Sequence, residues 1–433
     1  MTPLIVLKFG GTSVGTPEKI QRVARIIANL QAQENARIVT VVSAMGHSTD
    51  HLVDLAKAIT PQPEGREYDA LLATGEMVST ALMAMCLNHM GYAAVGLNAW
   101  QAGMHTEAVF NKARLTTIDV ANIHRHLDEQ KIVIITGFQG IDTDGNLTTL
   151  GRGGSDTTAV ALAAALKADR CDIFTDVRGV FSTDPRIVPE AIKLEQIAYI
   201  EMMELARLGA QVLHPRAVET ARQWHVPLSV RSTFDLEDSG TMIVSEEVLS
   251  QLPLEGTRPV SGIASDTSQA RIAVIGVPDQ PGVVSKIFGA LAEKRVSVDM
   301  IIQAVGPSTQ TNDVVFTVAL DDAPAAQAVV QAVAKELGGS GEVLVDTDIA
   351  KISVVGVGMI DRPGIAADMF KALAQAGINI KMIATSEIKI SCLVAKAEAK
   401  SAVAAIHRIF FEDLPAPQTL QDDRVLVDQK LGY

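Results

Sequence analysis

The chain has 433 residues, of which 48% are hydrophobic and 20% charged, and its formal net charge is −13. This length and composition predict two or three domains with a large buried core, and they exclude a wholly disordered protein. The negative charge argues against nucleic acid and anionic membranes as partners, because both select for basic surfaces.

The first twenty residues lack the pattern of a secretory signal, and the sequence has no apolar run long enough to span a membrane. The three cysteines (Cys86, Cys171 and Cys392) are far apart and show no C-x-x-C spacing. Buried free thiols in a reducing compartment are the simplest interpretation. A cytoplasmic protein with no membrane partner is therefore expected.

The segment from Ile5 to Gly15 reads IVLKFGGTSVG and predicts a strand that ends in a glycine pair. Lys8 lies next to these glycines, whose backbone N–H groups have no side chain to cover them. Such a loop suits a bound polyphosphate. The segment matches neither the Walker loop nor the G-x-G-x-x-G dinucleotide turn. An ordinary strand–turn–helix corner is the alternative for the glycine pair taken alone.

Short apolar runs alternate with amphipathic patterns up to about Val244, which predicts an α/β fold with a mostly parallel sheet and helices on both faces. The predicted strands are Ile38–Val42, Ala93–Leu97, Ile132–Ile135, Ile173–Thr175 and Leu228–Val230. The predicted helices include Pro17–Gln33, Tyr68–Met90 and Thr157–Ala168. Prolines, a glycine and polar residues then indicate a linker at 246–260.

A second glycine-rich loop, LGRGGSDTT at 150–158, leads directly into an alanine-rich helix. Ser155, Asp156 and Thr157 are predicted to cap that helix. Its N-terminus would present free amides and the positive end of the helix dipole. Arg152 within the glycines predicts a bidentate clamp on a carboxylate or phosphate. A plain connector is the alternative.

Three further segments carry candidate binding groups. Residues 173–186 leave a strand and turn repeatedly, with hydroxyl, carboxylate and arginine groups around Phe181 that suit a nucleotide. Residues 43–50 follow another strand and read SAMGHSTD. Glu76 lies in a predicted helix, where its carboxylate suits a substrate ammonium but also an ordinary solvated face.

The second half contains an internal repeat. RIAVIG at 271–276 leads to an Asp-Gln-Pro-Gly turn at 279–282, and KISVVG at 351–356 leads to an Asp-Arg-Pro-Gly turn at 361–364. Each unit continues with a helix, further strands and another helix, which predicts two ferredoxin-like βαββαβ modules. A ligand-sensing pair is favoured over a pure dimerisation platform, which stays open as the alternative.

The candidate groups of the first half suit phosphoryl transfer, which depends on positioning and charge neutralisation. No Ser/His/Asp or Cys/His constellation stands out, and the i,i+4 pair His47 and His51 begins in a Gly–Ser–Thr loop, so no metal site is predicted. A carboxylate acceptor needs no base, because its pKa of about 4 leaves it ionised at neutral pH. Lys8, the helix dipole and Mg²⁺ would then offset its repulsion from ATP.

Seven segments together resemble the aspartate kinase family and span essentially the whole chain. They are KFGGTSVG at 8–15, VVSAMGHSTD at 41–50, ATGEM at 73–77, LGRGGSDTTAVALAAAL at 150–166, FTDVRGVFSTDPRIV at 174–188, VLHPRA at 212–217 and SEIKIS at 386–391. The resemblance implies an amino-acid-kinase α/β/α sandwich followed by two ACT domains. It also implies a monofunctional enzyme that phosphorylates the β-carboxylate of L-aspartate with ATP to give 4-phospho-L-aspartate. This reaction is the first step toward lysine, threonine and methionine.

The resemblance further implies a role for each matching residue. Lys8 would stabilise the transferring phosphoryl group, and Asp156 would orient Lys8. Arg152 would hold the α-carboxylate of aspartate and Glu76 its ammonium. The substrate pocket would be completed by Ser43, Thr49, Gly153, Gly154 and Ser155. The ATP contacts would be Lys8, Phe9, Gly10, Gly11, Thr175, Asp176, Phe181, Arg186 and Val212. Some relatives have Tyr in place of Phe181 and Lys in place of Gln211, which affects individual nucleotide contacts.

The family's domain order implies a catalytic domain at 1–245, a linker at 246–260, a first ACT domain at 261–340 and a second at 341–433. The strand near 261–264 is an alternative part of the second ACT domain. Lysine, threonine or both would bind between the modules of two chains, in a homodimer or higher homo-oligomer. Asp279 and Asp299 would meet the effector's ammonium. The other implied effector contacts are Ser297, Val298, Gln303, Asn379 and Ile380.

Two alternatives remain. The nearer is a sibling kinase of the same fold that acts on glutamate, N-acetylglutamate, carbamate or UMP. The pairing of Glu76 with Arg152 favours a free amino acid instead. The other is an amino-acid-sensing regulator with an inactive kinase half, which would be expected to have lost Lys8 or Asp156.

Overall fold

The computed structural model describes residues 2–209, 212–250, 258–305, 311–338, 342–360 and 362–412. The chain divides into two compact units. The first unit comprises residues 1–180, 193–207 and 211–256, and the second comprises residues 181–192, 208–210 and 257–433.

The first unit contains twelve of the described strands. They are β1 (Leu4–Phe9), β2 (Arg37–Val42), β3 (Ala94–Leu97), β4 (Met104–Thr106), β5 (Leu115–Ile118), β6 (Ile132–Thr136), β7 (Gln139–Ile141), β8 (Leu147–Thr149), β9 (Arg170–Thr175), β10 (Gln196–Ala198), β11 (Leu228–Ser232) and β12 (Thr241–Val244). Eight form one sheet in the order β10-β12-β11-β9-β1-β2-β6-β3, and β5-β4-β7-β8 form a smaller sheet. Within the large sheet every pairing is parallel except that of β11 with β12.

The helices of the first unit are α1 (Pro17–Glu34), α2 (Ser48–Ile59), α3 (Arg66–His89), α4 (Ala121–Asp128), α5 (Gly154–Leu166), α6 (Tyr199–Arg207), α7 (Pro215–Gln223) and α8 (Glu246–Ser250). Local sequence explains the bounds of α1. The Thr16 side chain caps its first turn, Pro17 suits the first helical position, and Asn35 closes the helix in the left-handed region at a φ of 48°.

The two faces of the large sheet have different roles. Ile5, Leu7 and Phe9 of β1 are fully buried in a core that also contains Val23 of α1 and Met83 of α3. Because successive strand residues point to opposite faces, Val6 and Lys8 lie on the other face. Helix α5 packs against β1, β2 and β9. The Lys8 side chain therefore leaves the sheet on the side opposite the α1 and α3 core.

Helix α3 is long and apolar enough to cross a membrane by length and composition alone. The apolar-run criterion missed it because polar residues such as Asp69 and Glu76 interrupt the sequence. Both of these residues are buried, and half of the helix's most apolar window lies inside the protein. These features are those of a core helix.

The second unit contains two four-stranded sheets. Its described strands are β13 (Gly262–Asp266), β14 (Gln269–Pro278), β15 (Val298–Val305), β16 (Thr311–Ala319), β17 (Glu342–Asp346), β18 (Ile349–Val355), β19 (Met382–Ser386) and β20 (Lys389–Ala395). Its α-helices are α9 (Val283–Glu293), α10 (Ala323–Glu336), α11 (Ile365–Gln375) and α12 (Ala399–Phe411). The sheet orders are β15-β16-β14-β17 and β13-β18-β20-β19, and all pairings are antiparallel.

The predicted fold class is confirmed: a mostly parallel α/β unit precedes two ferredoxin-like modules. One detail differs from the predicted strand order. In the second module the edge strand is β13, which precedes both repeats, so the described strands do not follow the βαββαβ order there. The position of β13 agrees with the alternative assignment of the strand near 261–264 to the second module. Asp361 of the second Asp-x-Pro-Gly turn lies outside the described residues.

Candidate active site

The site begins where β1 ends. Lys8 is flanked on both sides by parallel strands, because β1 pairs with β2 and with β9. At Gly11 a Cβ atom would lie 2.9 Å from the Ala44 carbonyl oxygen, and the Gly46 N–H donates to the Gly11 carbonyl. The glycine loop and the segment after β2 therefore pack backbone against backbone, and only glycine allows that approach at position 11.

Lys8 forms an ion pair with Asp156. The Lys8 Nζ and Asp156 Oδ1 atoms are 2.5 Å apart, and the two side chains are only 12% and 13% exposed. Asp156 lies in the first turn of α5, so the pair joins the end of β1 to the start of that helix. This geometry fits the expectation that the aspartate orients the lysine.

The predicted helix cap was wrong. The residue that precedes α5 is Gly153 at a φ of 71°, so Ser155, Asp156 and Thr157 lie inside the first turn. A side chain at position 153 would clash with His214, because its Cβ atom would lie only 2.2 Å from the Cβ of that histidine. The chain needs glycine here for both reasons, and Asp156 is free to face Lys8 instead of capping the helix.

Glu76 supplies a buried carboxylate on α3. Its side chain is almost fully buried, and Oε1 accepts a hydrogen bond of 3.1 Å from the Ala44 N–H. The other oxygen, Oε2, is buried without a hydrogen-bond partner among the described residues. Burial raises the pKa of Glu76 to about 7. An unpaired buried carboxylate oxygen is a good acceptor for a ligand's ammonium.

These groups line one small cavity of about 280 Å³. It brings together most of the predicted substrate and phosphate residues: Lys8, Gly10, Gly11, Ser43, Thr49, Glu76, Arg152, Gly153, Gly154, Ser155 and Asp156. The cavity therefore contains two acidic and two basic side chains. Arg152 is exposed, and it makes no ion pair with a described residue.

Phe9 is a predicted ATP contact that does not line this cavity. Its side chain is fully buried and stacks on Phe174, with ring centroids 4.7 Å apart. Because side chains alternate along a strand, the Phe9 side chain points into the core on the face of the sheet opposite Lys8. Only the backbone of Phe9 can therefore contribute to a phosphate site.

Comparisons with known proteins agree with this geometry. A family model described as the amino acid kinase family matches residues 3–232, and ACT domain models match residues 271–338 and 352–410. The chain is 50% identical to the aspartokinase of Bacillus sp. (strain MGA3), covering 94% of this chain and 97% of that protein. Aspartokinase 2 of Bacillus subtilis (strain 168) is also 50% identical, over 94% of this chain and 97% of that protein.

The chain belongs to the aspartokinase family.

Solved structures of relatives share the fold. The E. coli aspartokinase III complex with aspartate and ADP is 27% identical, with a TM-score of 0.74, and covers 94% of this chain and 100% of that chain. The same enzyme in complex with lysine and aspartate has a TM-score of 0.70 at 27% identity, over 94% of this chain and 99% of that one. The family resemblance predicted from the sequence is confirmed.

Lys8, Gly10 and Gly11 line the cavity, but the other predicted nucleotide contacts do not. Thr175 ends β9 and its hydroxyl donates to Asp176, and both residues belong to the first unit, as does Val212. Phe181 and Arg186 belong to the second unit, where the exposed Arg186 guanidinium pairs with Asp184. The nucleotide assignments thus stay predictions, and Gln211 lies outside the described residues.

The predicted effector residues of the aspartokinase lie in its second unit. Asp279 Oδ1 accepts a hydrogen bond of 2.8 Å from Asn312 Nδ2. Asp299 is paired with Lys351, whose side chain is only 4% exposed. Ser297 and Gln303 are exposed, Val298 begins β15, and Asn379 and Ile380 precede β19, which β15 contacts.

The Asp299 pair bears on one expectation. Asp299 was predicted to meet the ammonium of an effector, and its carboxylate is paired with the Lys351 ammonium, so an effector would have to share it. The assignment of Asp299 to the effector stays a prediction. Lys351 lies on β18 of the second module, and no pattern in either repeat marks it as the partner of a residue on β15. The contact depends on how the two modules pack, which local sequence does not report.

Proposed function

We propose that this aspartokinase transfers the γ-phosphoryl group of ATP to the β-carboxylate of L-aspartate and forms 4-phospho-L-aspartate. The observation that carries the proposal is the single cavity that holds the Lys8–Asp156 ion pair together with Glu76 and Arg152. The reaction needs two opposite charges that bind the amino acid and one fixed lysine that neutralises the phosphoryl group.

The amino-acid end of the cavity recognises both charges of the backbone of aspartate. The unpaired Oε2 of Glu76 accepts the α-ammonium, and Arg152 binds the α-carboxylate with its planar fork of donors. Ser43, Thr49 and Ser155 line the same cavity and add hydroxyl groups. The β-carboxylate is then left to face Lys8.

The phosphoryl end works by charge neutralisation. The acceptor carboxylate is ionised at neutral pH, so no base has to remove a proton. Its difficulty is repulsion from the phosphate oxygens. The Lys8 ammonium, held in place by Asp156, offsets the charge that spreads over the transferring group, and the backbone amides of Gly10 and Gly11 are available to the phosphates.

ATP enters with Mg²⁺, which neutralises phosphate charge when bound. Magnesium sites in kinases use one or two carboxylates together with substrate phosphates. Within the described residues no group of three or more His, Cys, Asp and Glu side chains forms a dedicated metal site. Thr175, Asp176, Phe181, Arg186 and Val212 are our proposed nucleotide contacts.

The second unit is proposed to sense lysine, threonine or both, in at least a homodimer and in the cytoplasm. Asp279 is the proposed ammonium contact, with the backbone near Val298 and Ile380 binding the carboxylate. The proposed domain bounds are 1–245, 246–260, 261–340 and 341–433, with β13 assigned to the second ACT domain because it pairs with β18. Inhibition requires an effector to favour a less active arrangement through its differential affinity for the two states.

A coupled ATPase assay tests the proposal directly. Purified protein is supplied with Mg²⁺-ATP and L-aspartate, and in parallel with glutamate, N-acetylglutamate, carbamate or UMP. Turnover is expected with L-aspartate, and lysine or threonine should reduce it. Turnover with another acceptor but not with L-aspartate would identify a sibling kinase, and the absence of turnover with every acceptor would favour an inactive regulator.

A further inference from the structure

Asp69 is a fully buried carboxylate outside the proposed reaction. It lies in the first turn of α3 and has no exposed surface. Every partner found for it among the described residues is a hydrogen-bond donor. Its oxygens accept from the Asn111 N–H at 2.9 and 3.1 Å, from the Thr149 N–H at 2.6 Å and from the Thr149 hydroxyl at 3.0 Å. A carboxylate is costly to bury unless hydrogen bonds compensate it, and here each oxygen accepts two.

Asp69 fixes the base of the loop that carries Arg152. Thr149 is the last residue of β8, and Arg152 follows three residues later. Asp69 ties Thr149 to Asn111, and the Ala113 N–H adds a hydrogen bond of 2.9 Å to the Thr149 carbonyl. At Gly151 a Cβ atom would lie 3.1 Å from the Asn111 carbonyl oxygen, so the two segments are in close contact up to the residue before Arg152.

A second charged side chain ties the same two segments from α7. The Arg216 guanidinium donates to the Leu150 carbonyl at 3.1 Å and to the Ala113 carbonyl at 2.9 Å. Asp69 thus holds the N–H groups of residues 111 and 149, while Arg216 holds the carbonyls of residues 113 and 150. The loop enters the cavity from a base that is fixed on both sides.

Helix α3 also carries the opposite end of the amino-acid pocket. Glu76 follows Asp69 by seven residues, which is two helical turns, so both project from the same face about 10 Å apart along the axis. One rigid helix therefore bears the proposed ammonium contact directly and anchors the proposed α-carboxylate contact through Thr149.

We propose that Asp69 is a positioning residue that sets the spacing between Glu76 and Arg152, and with it the fit of the pocket to the short amino acid aspartate. The inference rests on the proposed function, because it assigns these two residues to the ends of the substrate. Asp69 lines no part of the cavity and acts only through the loop.

Asp69→Asn is the informative variant. The amide replaces one acceptor with an NH₂ group that must face the donors of Asn111 or Thr149, so the base of the loop shifts. A displacement of 1 Å at a reacting centre costs about 100-fold in rate. We expect the KM for aspartate to rise by about tenfold or more, with the KM for ATP within about twofold of wild type.

Asp142→Asn is a matched control. Asp142 is also buried. It directly follows β7, and its carboxylate accepts hydrogen bonds from Asp144 and Asn146 of the turn that joins β7 to β8. The same substitution there should lower the melting temperature without changing the KM for aspartate. A purely structural role of Asp69 would make the two variants behave alike.

Thr149→Val and Thr149→Ser keep the inference testable if Asp69→Asn does not fold. Valine removes the hydroxyl that donates to Asp69, and serine retains it. Valine should raise the KM for aspartate and serine should not. The inference would be overturned if a folded Asp69→Asn enzyme kept the wild-type KM for aspartate. It would also be overturned if the KM values for aspartate and ATP rose equally, or if valine and serine at position 149 had equal effects. Wild-type turnover of aspartate is measured first, and its absence would refute the proposed function instead.

Discussion

The two units differ in whether the charged groups predicted to bind the ends of a ligand already have a partner in the chain. In the first unit Glu76 keeps a buried oxygen without a partner among the described residues, and Arg152 makes no ion pair with any of them. In the second unit Asp279 is hydrogen-bonded to Asn312, and Asp299 is paired with Lys351. The groups proposed to bind the two ends of the substrate are open to a ligand, whereas the proposed effector contacts are already engaged with their own chain.

This difference has a consequence for affinity and control. A ligand ammonium at the proposed substrate site would give the unpaired Oε2 of Glu76 a partner without displacing a hydrogen bond of that oxygen, so part of the cost of burying Glu76 would be recovered on binding. An effector in the second unit must share Asp279 with Asn312. Its binding free energy is then the difference between two sets of contacts, and a change of packing between modules can alter it.

The largest expected effect is on the charge that neutralises the phosphoryl group. Lys8→Ala should lower kcat for aspartate phosphorylation by about 10²–10³-fold, because it removes a preorganised cation from the transition state. Steady-state kinetics measures this effect, and circular dichroism checks the fold. Lys57→Ala, at an exposed position of α2, is the control and should be neutral. A Lys8→Ala enzyme with half the wild-type kcat would remove the basis for the assignment.

The next effect separates the two aspartates of the second unit. Asp279→Ala should keep kcat and weaken inhibition by lysine or threonine by about 5–150-fold, the usual range of an allosteric coupling. Asp299→Ala should instead lower the melting temperature, because it leaves the Lys351 ammonium buried without its partner. Inhibition curves and thermal melts on both variants measure the contrast. Equal loss of inhibition with unchanged melting would mean that Asp299 contacts the effector after all.

The smallest expected effect is a pH dependence of substrate use. Burial raises the pKa of Glu76 to about 7, so its carboxylate gains charge as the pH rises through that value. Binding of the ammonium needs the charged form, and kcat/KM for aspartate should therefore rise from pH 6 to pH 8. At pH 6 it should be about tenfold below the plateau. Glu76→Gln should flatten this limb, and a limb that persists in the variant would belong to another group.

The residues that line the pocket were predicted from the sequence more completely than the residues that hold its loops in place. Lys8, Glu76, Arg152 and Asp156 each lie in a motif, and the structure brings all four to one cavity. Asp69 and Arg216 were missed because most of their partners are backbone groups far along the chain. The available signal for Asp69 was that it is a polar residue in an apolar helix, seven positions before Glu76.

The start of α5 and the pairing of Asp299 show two different limits. The cap prediction followed residue preference, but Gly153 must adopt a positive φ against His214, and this tertiary constraint overrode the local preference. The Asp299–Lys351 pair joins two modules, and only their packing determines it. The family resemblance paired Lys8 with Asp156 across two elements, whereas nothing in the sequence indicated the contact of Asp299 with Lys351.

If Glu76 and Arg152 bind opposite ends of aspartate, substrates that lack one end should distinguish the two residues. Succinate lacks the ammonium, and β-alanine lacks the α-carboxylate. The measurement is kcat/KM for ATP-dependent acyl phosphate formation from aspartate, succinate and β-alanine, with wild type, Glu76→Gln and Arg152→Ala.

Glu76→Gln should lose about 30-fold or more on aspartate and β-alanine and leave succinate unchanged, since losing one partner of a buried charged pair costs about 2–5 kcal/mol. Arg152→Ala should lose as much on aspartate and succinate and leave β-alanine unchanged. If each variant lowered kcat/KM for all three substrates by the same factor, the two residues would not bind the ends of the substrate.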